Sequence, residues 1–316
     1  MSKESPLEQL NFDGRVAIIT GAGAGLGREY ALLLASRGAR IVANDASLKD
    51  VEAVVAEISA SGGKAVVSHG DVRTDAKKCV ADAMATFGQL DILINNAGIY
   101  RPGHFWEQDV DEWWHVFDVS LKGTVDMIRA AWPELERSRS GRIVNTSSIG
   151  IMPQPNASAY GAAKAAIWAL GGTLGLESAT RGTNVLVNTI MPVALTSMMP
   201  ESFFPQDIGD ALREHFQPSR VAAFVTWLVH QDTQITQRTF QVGGGSIEEI
   251  LVCASPMINT PENSPEGWAL AAISDAADSG DVTIYRSVSD SFMRLMLSKS
   301  PHLKLSHAAV REHFSS

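Results

Sequence analysis

Cysteine is nearly absent: the 316-residue chain has two, Cys79 and Cys253, far apart and in no metal or redox spacing. That excludes a disulfide scaffold and a thiolate metal site, and two buried thiols in a reducing compartment are expected. No apolar run approaches membrane-spanning length, and the opening ten residues, Met-Ser-Lys-Glu-Ser-Pro-Leu-Glu-Gln-Leu, lack the apolar centre of a signal peptide. The closing Phe-Ser-Ser is not a peroxisomal address, so a cytoplasmic location without membrane insertion is expected. Basic clusters are missing and the net charge is −9, which argues against a nucleic-acid partner. Internal repeats and low-complexity tracts are also absent.

Apolar content is high instead, at 45%, enough for a single large core in a chain of this length. Strand-like and helix-like segments alternate. Val16-Ala17-Ile18-Ile19, Ala39 to Asn44, Lys64 to Ser68, Asp91 to Ile94, Arg142 to Thr146, Val185 to Ile190 and Phe240 to Val242 read as strands. Leu48, Val51, Val54, Val55 and Ile58 mark an amphipathic helix between two of them, and another helix begins near Asp109 and carries Trp113, Trp114, Val116 and Phe117. Strands alternating with helices of this length imply a doubly wound parallel sheet of about seven strands in an α/β, Rossmann-type fold, with right-handed crossovers.

The first strand runs into Thr20-Gly21-Ala22-Gly23-Ala24-Gly25-Leu26-Gly27, and helical spacing resumes at Tyr30, Leu33 and Leu34. A glycine-rich turn between strand and helix offers backbone amides and a helix dipole to a pyrophosphate. The next strand ends in Asp45, 18 residues beyond Gly27, where a carboxylate accepts hydrogen bonds from an adenosine ribose. These features predict a dinucleotide site holding Gly21, Gly25, Leu26, Gly27 and Asp45. The small residues of Asn95-Asn96-Ala97-Gly98, at another strand end, permit close approach to a ligand.

Tyr160-Gly-Ala-Ala-Lys164 sets a phenol and an ammonium four residues apart, on one helix face. A tyrosine titrates near ~10 when unperturbed, and a fixed positive charge one turn away favours its phenolate. Tyr160 follows Ser147-Ser148 at the end of the Arg142 to Thr146 strand.

Taken together, Thr-Gly-x-x-x-Gly-x-Gly, Asn-Asn-Ala-Gly, the serine pair and Tyr-x-x-x-Lys resemble the short-chain dehydrogenase/reductase family over roughly residues 10 to 246. Phe12-Asp13-Gly14-Arg15-Val16, Val42-Ala43-Asn44-Asp45, Val221 to His230 and Phe240-Gln241-Val242-Gly243 look like one subgroup of it. That subgroup is the (3R)-hydroxyacyl-CoA dehydrogenase part of peroxisomal multifunctional enzymes, with its bacterial relatives. The resemblance implies a hydride transfer between NAD and a bulky apolar secondary alcohol or ketone, of hydroxysteroid or 3-hydroxyacyl thioester type. It implies Tyr160 as proton donor and acceptor, and Lys164 as the group that lowers the phenol's pKa and reaches the nicotinamide ribose. A serine stabilises charge on the substrate oxygen. Strand register selects Ser148 for that role, whereas the family's usual spacing, one residue longer, selects Ser147. By the same resemblance Asp71 and Val72 lie beside the adenine, and Asn96, Ala97, Gly98, Pro192 and Thr196 complete the cofactor site. Asp45, with Ala22, Ala24 and Ala46 where NADP enzymes often carry Arg or Lys, favours NAD. The family's assembly through the Tyr/Lys helix implies a homodimer or homotetramer, with Ala165, Ala166, Ala169, Gly171 and Gly172 as its small residues.

Two positions depart from the family pattern. Ser120 stands where an Asn commonly completes a catalytic tetrad, and Val193 follows Pro192 where Gly is usual. A nucleotide-sensing regulator on the same fold is the alternative reading, but such proteins lose the Tyr/Lys pair that this chain keeps. Residues 193 to 220, rich in Met, Phe and Pro, read equally as a substrate lid and as an ordinary loop packed on the body, with a helix around Asp207 to Glu214. Residues 1 to 246 are the expected catalytic domain, its first ten residues flexible. Residues 247 to 316 are expected to form a helical extension, with a helix start at Ser264-Pro265-Glu266. Subunit contact and pocket closure are equally open as its role.

Overall fold

The computed structural model describes residues 9–199, 205–257, 282–285 and 294. The chain divides into two compact units, Met1–Glu249 and Ile250–Ser316.

In the first unit β1 (Val16–Thr20) is buried at every position, as happens to an apolar run covered on both sheet faces. It is followed by α1 (Gly25–Ser36), β2 (Arg40–Asp45), α2 (Leu48–Ala60), β3 (Lys64–His69), α3 (Ala76–Phe87) and β4 (Ile92–Asn95). Next come α4 (Val110–Phe117), a π-helical turn (Asp118–Lys122), α5 (Gly123–Arg137), β5 (Arg142–Thr146) and α6 (Ser158–Arg181). The unit closes with β6 (Leu186–Val193), α7 (Gln206–His215), α8 (Pro218–Leu228), β7 (Thr239–Gly243) and β8 (Ser246–Glu249). Local chemistry marks several ends. Asp109 caps α4 by accepting from the amides of Asp111 and Glu112 at 2.9 and 3.1 Å. Gly88 and Gly182 end α3 and α6 in the left-handed conformation.

The strands lie in the order β3-β2-β1-β4-β5-β6-β7-β8. One face of the sheet is covered by α1, α2 and α8, the other by α3, α5 and α6. The order reverses between β1 and β4, and a ligand crevice is expected outside the carboxyl ends of the strands at that switch point. The glycine turn, the end of β4 and the end of β5 all lie there.

The sheet has eight strands rather than about seven. Gly244 and Gly245, with φ of 59° and 80°, form a two-residue turn that sends β8 back antiparallel to β7. Left-handed conformations at both loop positions are what a tight hairpin of right-twisted strands requires, and a Gly-Gly pair supplies them. The second unit also departs from expectation. Its described residues include no extended helix but a short antiparallel pair, β9 (Val252–Ala254) with β10 (Thr283–Tyr285). Val252, Thr283, Ile284 and Tyr285 are residues that favour strands. The expected helix start at Ser264 lies outside the described residues.

Candidate active site

The glycine turn is held open by conformation and by crowding. Gly21 and Gly25 have φ of 64° and 52°, which L side chains rarely adopt. A Cβ on Gly27 would stand 2.0 Å from the carbonyl oxygen of Gly21, so only hydrogen fits where α1 starts. Asn96 ties this turn to the end of β4: its Nδ2 donates to the carbonyls of Thr20 and Gly21 at 3.0 and 3.2 Å. Thr20 Oγ1 in turn accepts from the amides of Asn96 and Ala97, each at 3.0 Å. Strand ends of β1 and β4 are thereby locked together around the crevice.

Asp45, at the tip of β2, accepts from the amide of Gly23 at 2.9 Å through Oδ2 and from that of Ser47 at 2.9 Å through Oδ1. These bonds fix a carboxylate at the far end of the cleft from Tyr160. Arg28, the nearest arginine in sequence to the turn, is paired with Glu29 and Glu57.

One cavity of about 620 Å³ is lined by Gly21, Gly25, Leu26, Asp45, Asn96, Ala97, Gly98, Ser148, Tyr160, Lys164, Pro192 and Thr196 together. The sequence-predicted residues at Gly27, Asp71, Val72 and Ser120 are not on its wall. Gly27 acts behind the turn. Val72 is buried in the core against Gly123, whose Cβ would stand 2.5 Å from its Cγ2. Asp71 is held by Arg73 Nε and a terminal nitrogen at 2.9 and 2.6 Å, which keeps its carboxyl below the ordinary value.

Ser148 and Tyr160 converge at Gly150, where a Cβ would lie 3.2 Å from Ser148 Oγ and 3.3 Å from the Tyr160 ring, and the Ser148 hydroxyl accepts from the amide of Gly150 at 3.0 Å. Ser147 does something else: buried, it donates through Oγ to the carbonyl of Lys164 at 2.7 Å. Strand alternation explains the split, because adjacent side chains at the end of β5 point to opposite faces. Lys164 is fully buried, its Nζ donating to the carbonyl of Thr146 at 2.7 Å and lying 5.7 Å from the Tyr160 ring centroid. Burial lowers the ammonium to about 8.

The phenol moves the other way from the sequence expectation. Burial pushes the Tyr160 pKa up; the neighbouring Ser148 hydroxyl pulls it down, and the nearby Tyr100 adds to the rise. In the chain alone, the cost of desolvating a phenolate outweighs any help from a lysine that is itself desolvated.

Ser120 is the middle residue of the π-helical turn between α4 and α5, an irregularity often found at functional sites. Its buried Oγ has no partner. A Cβ on Gly98 would lie 3.4 Å from that oxygen and 3.3 Å from Lys164 Nζ, so both groups converge on the same glycine.

Sequence reasoning missed Tyr100, Thr146, Ile149 and Gln154, which also line the cavity. Tyr100 sets its ring edge-on to Tyr160 with centroids 5.2 Å apart; its place two residues after Gly98 was the available signal. The segment after β6 divides between the two readings left open for it. Met198 and Met199 line the cavity, while Phe216 packs beside Gly244, whose Cβ would be 3.2 Å from the ring. Phe203 and Phe204 lie outside the described residues.

The cradle fits a dinucleotide. Two left-handed glycines, a helix N-terminus and a fixed carboxylate line one continuous cleft, and behind the turn Gly27 admits no side chain.

Residues 15–207 match the family model described as short chain dehydrogenase. The chain is 38% identical over 274 residues to peroxisomal multifunctional enzyme A of Dictyostelium discoideum, a match covering 82% of this chain and 60% of that protein. It is 40% identical over 251 residues to peroxisomal multifunctional enzyme type 2 of Mus musculus, covering 76% and 33% respectively. The chain thus spans three fifths or less of these relatives' own length. A crystal structure of a short chain dehydrogenase from Mycobacterium avium matches with a TM-score of 0.73 at 34% identity, over 84% of this chain and 95% of that one.

Proposed function

The chain belongs to the short chain dehydrogenase family, and from that premise we propose an NAD-dependent oxidoreductase acting on a bulky apolar secondary alcohol or its ketone. Hydroxysteroids and 3-hydroxyacyl thioesters are the two substrate types that suit it. The observation that carries this reading is the convergence of Ser148 and Tyr160 at Gly150, with the Lys164 Nζ 5.7 Å from the Tyr160 ring, on the wall of one cleft that the glycine turn and Asp45 also line.

NAD, when bound, supplies the hydride acceptor or donor. The turn from Gly21 to Gly27 and the first amides of α1 hold its pyrophosphate, and Asp45 accepts from the adenosine ribose. Asn96, Ala97, Gly98, Pro192 and Thr196 would flank the cofactor from the cavity wall, whereas Asp71 and Val72, just past β3 and off that wall, would reach the adenine side only at its edge. Tyr160 gives a proton to the carbonyl oxygen in reduction and takes it back in oxidation. Ser148 donates to the same oxygen and stabilises charge developing there. Lys164 orients the nicotinamide ribose, and its ammonium returns the proton to Tyr160. In reduction Lys164 is thereby left neutral, and Ser120, whose unpartnered hydroxyl converges with Lys164 on Gly98, stands where the usual Asn does on the path by which a proton from solvent resupplies it.

Assembly as a homodimer or homotetramer through α6 belongs to the same proposal. The helix is apolar on its outer side as well as its inner one, with Ala165, Ala166, Ala169 and Gly172 only partly covered, and open space where a Cβ on Gly172 would be. Light scattering at micromolar concentration should give twice or four times the chain mass; a monomer mass refutes it.

Among the described residues no helix is long and apolar enough to cross a membrane. Only Cys79 of the two thiols is buried as expected, Cys253 being exposed on the short strand β9; that both are unpaired favours a cytoplasmic location, and recovery of a tagged protein from the peroxisomal matrix would overturn that part.

The function is tested by reducing a panel of steroid, acyl thioester and terpenoid ketones with NADH and following cofactor oxidation. Turnover of at least one bulky apolar ketone is expected. Turnover confined to small polar ketones, or none, refutes the reading.

A further inference from the structure

Between β5 and α6 the chain crosses the mouth of the cleft as Ile149 to Ala157, and this crossing is pinned at both ends. At its start Gly150 donates to Ser148 Oγ at 3.0 Å. At its end Gly103 donates to the carbonyl of Asn156 at 3.0 Å, and Trp113 Nε1 donates to Ser158 Oγ at 3.0 Å. Asn156 is held at a φ of 62°, one of two non-glycine residues with positive φ among the described residues. Such strain persists only where the surroundings enforce it, and it collects at functional sites.

In the middle stands Pro153-Gln154-Pro155. The first proline fixes its own φ, and the second confines the Gln154 backbone to extended conformations, so the backbone that carries this side chain has little freedom to lose on binding. Gln154 lines the catalytic cavity with its side chain exposed, and no hydrogen bond engages that side chain among the described residues. The same cavity is also lined by the apolar Ile149, Val193, Met198 and Met199 and by Tyr100. Asp45 and Lys164 are the only charged residues among the described lining, and both are engaged: Asp45 by Gly23 and Ser47, Lys164 by Thr146.

We propose that Gln154 is a specificity-determining residue that hydrogen-bonds a second, uncharged oxygen of the substrate, a carbonyl or hydroxyl remote from the carbon that is oxidised or reduced. The inference rests on the function proposed above and narrows it, from bulky apolar alcohols in general to those carrying a second neutral oxygen. A carboxylate or phosphate finds no free cation on this wall among the described residues. A carbonyl is met by the amide N–H and a hydroxyl by the amide oxygen.

The test compares three saturated steroid ketones: one with no other oxygen, one with a distal carbonyl and one with a distal hydroxyl. For each, kcat/KM is measured with NADH for the wild type, Gln154→Leu and Gln154→Glu. The wild type should prefer both oxygenated ketones, and Gln154→Leu should lower those preferences by about fivefold, the typical worth of one neutral hydrogen bond, with KM carrying most of the change. Gln154→Glu, which has lost the N–H donors, should lose the preference for the carbonyl analogue and keep that for the hydroxyl analogue. A wild type that turns over all three ketones equally, or preferences shifted less than twofold in Gln154→Leu, overturns the role of Gln154 and leaves the proposed function standing. Absence of turnover with any of the three, with the wider ketone panel also inert, overturns both.

Discussion

Replacing Lys164 with methionine should make the protein more stable and nearly inactive. The side chain is fully buried, and burial takes its ammonium from the ordinary 10.5 to about 8. At about 1.4 kcal/mol per pH unit, that difference is a penalty of about 3 kcal/mol on keeping the charged form folded. Methionine keeps the apolar stem and removes the charge. It also removes the hydrogen bond from Nζ to the carbonyl of Thr146, a loss of about 1–2 kcal/mol including the stranded acceptor. A net gain of about 1–2 kcal/mol at pH 7 remains. The sign with pH follows from which state releases its proton first. Below pH 8 both folded and unfolded chains carry the ammonium and the penalty is complete. Between about 8 and 10.5 the folded chain has lost its proton while the unfolded chain keeps it, so the wild type gains stability as pH rises. The advantage of Lys164→Met should therefore shrink by about 3 kcal/mol across that window and reverse at about pH 9. Urea unfolding of both proteins at a series of pH values, followed by tryptophan fluorescence, measures the difference. A variant less stable than wild type at pH 7, or a difference independent of pH, refutes the reasoning.

Two further outcomes follow from the site. Cofactor choice should favour NAD over NADP by on the order of a hundredfold or more in kcat/KM, since Asp45 would face a 2′-phosphate with like charge; Asp45→Ala should narrow that ratio, and an unchanged ratio would remove Asp45 from the account. Ser148→Ala should lower kcat far more than Ser147→Ala, because Ser148 stands beside Tyr160 on the cavity wall whereas Ser147 bonds the backbone of α6, and steady-state rates in the reverse order would contradict this.

Most of the sheet was legible because its strands are apolar runs with glycine turns between them, and β5 begins and ends where Arg142 to Thr146 read as a strand. The eighth strand was not. Ser246–Glu249 is an edge segment with mostly exposed side chains, and only the Gly244-Gly245 pair announced it. The catalytic cluster was legible as a motif, yet its electrostatics were not. Spacing places an ammonium near a phenol, but the depth at which Lys164 and Tyr160 are buried is a property of packing between distant elements. The same applies to Gln154 and Tyr100. Nothing local marks a loop residue as part of a wall whose other half comes from the segment after β6. Ser120 stood out as a departure from a family pattern, and the structure adds that it sits in a π-helical turn with its hydroxyl free.

The central claim is that the Tyr160 hydroxyl carries the proton in hydride transfer. The most direct test measures NAD affinity and turnover of Tyr160→Phe against wild type on one ketone and alcohol pair. The account predicts a cofactor Kd within about twofold of wild type and a kcat lower by ~10²–10⁴-fold, because only the transferable proton has gone. A kcat within about a factor of two of wild type would contradict it.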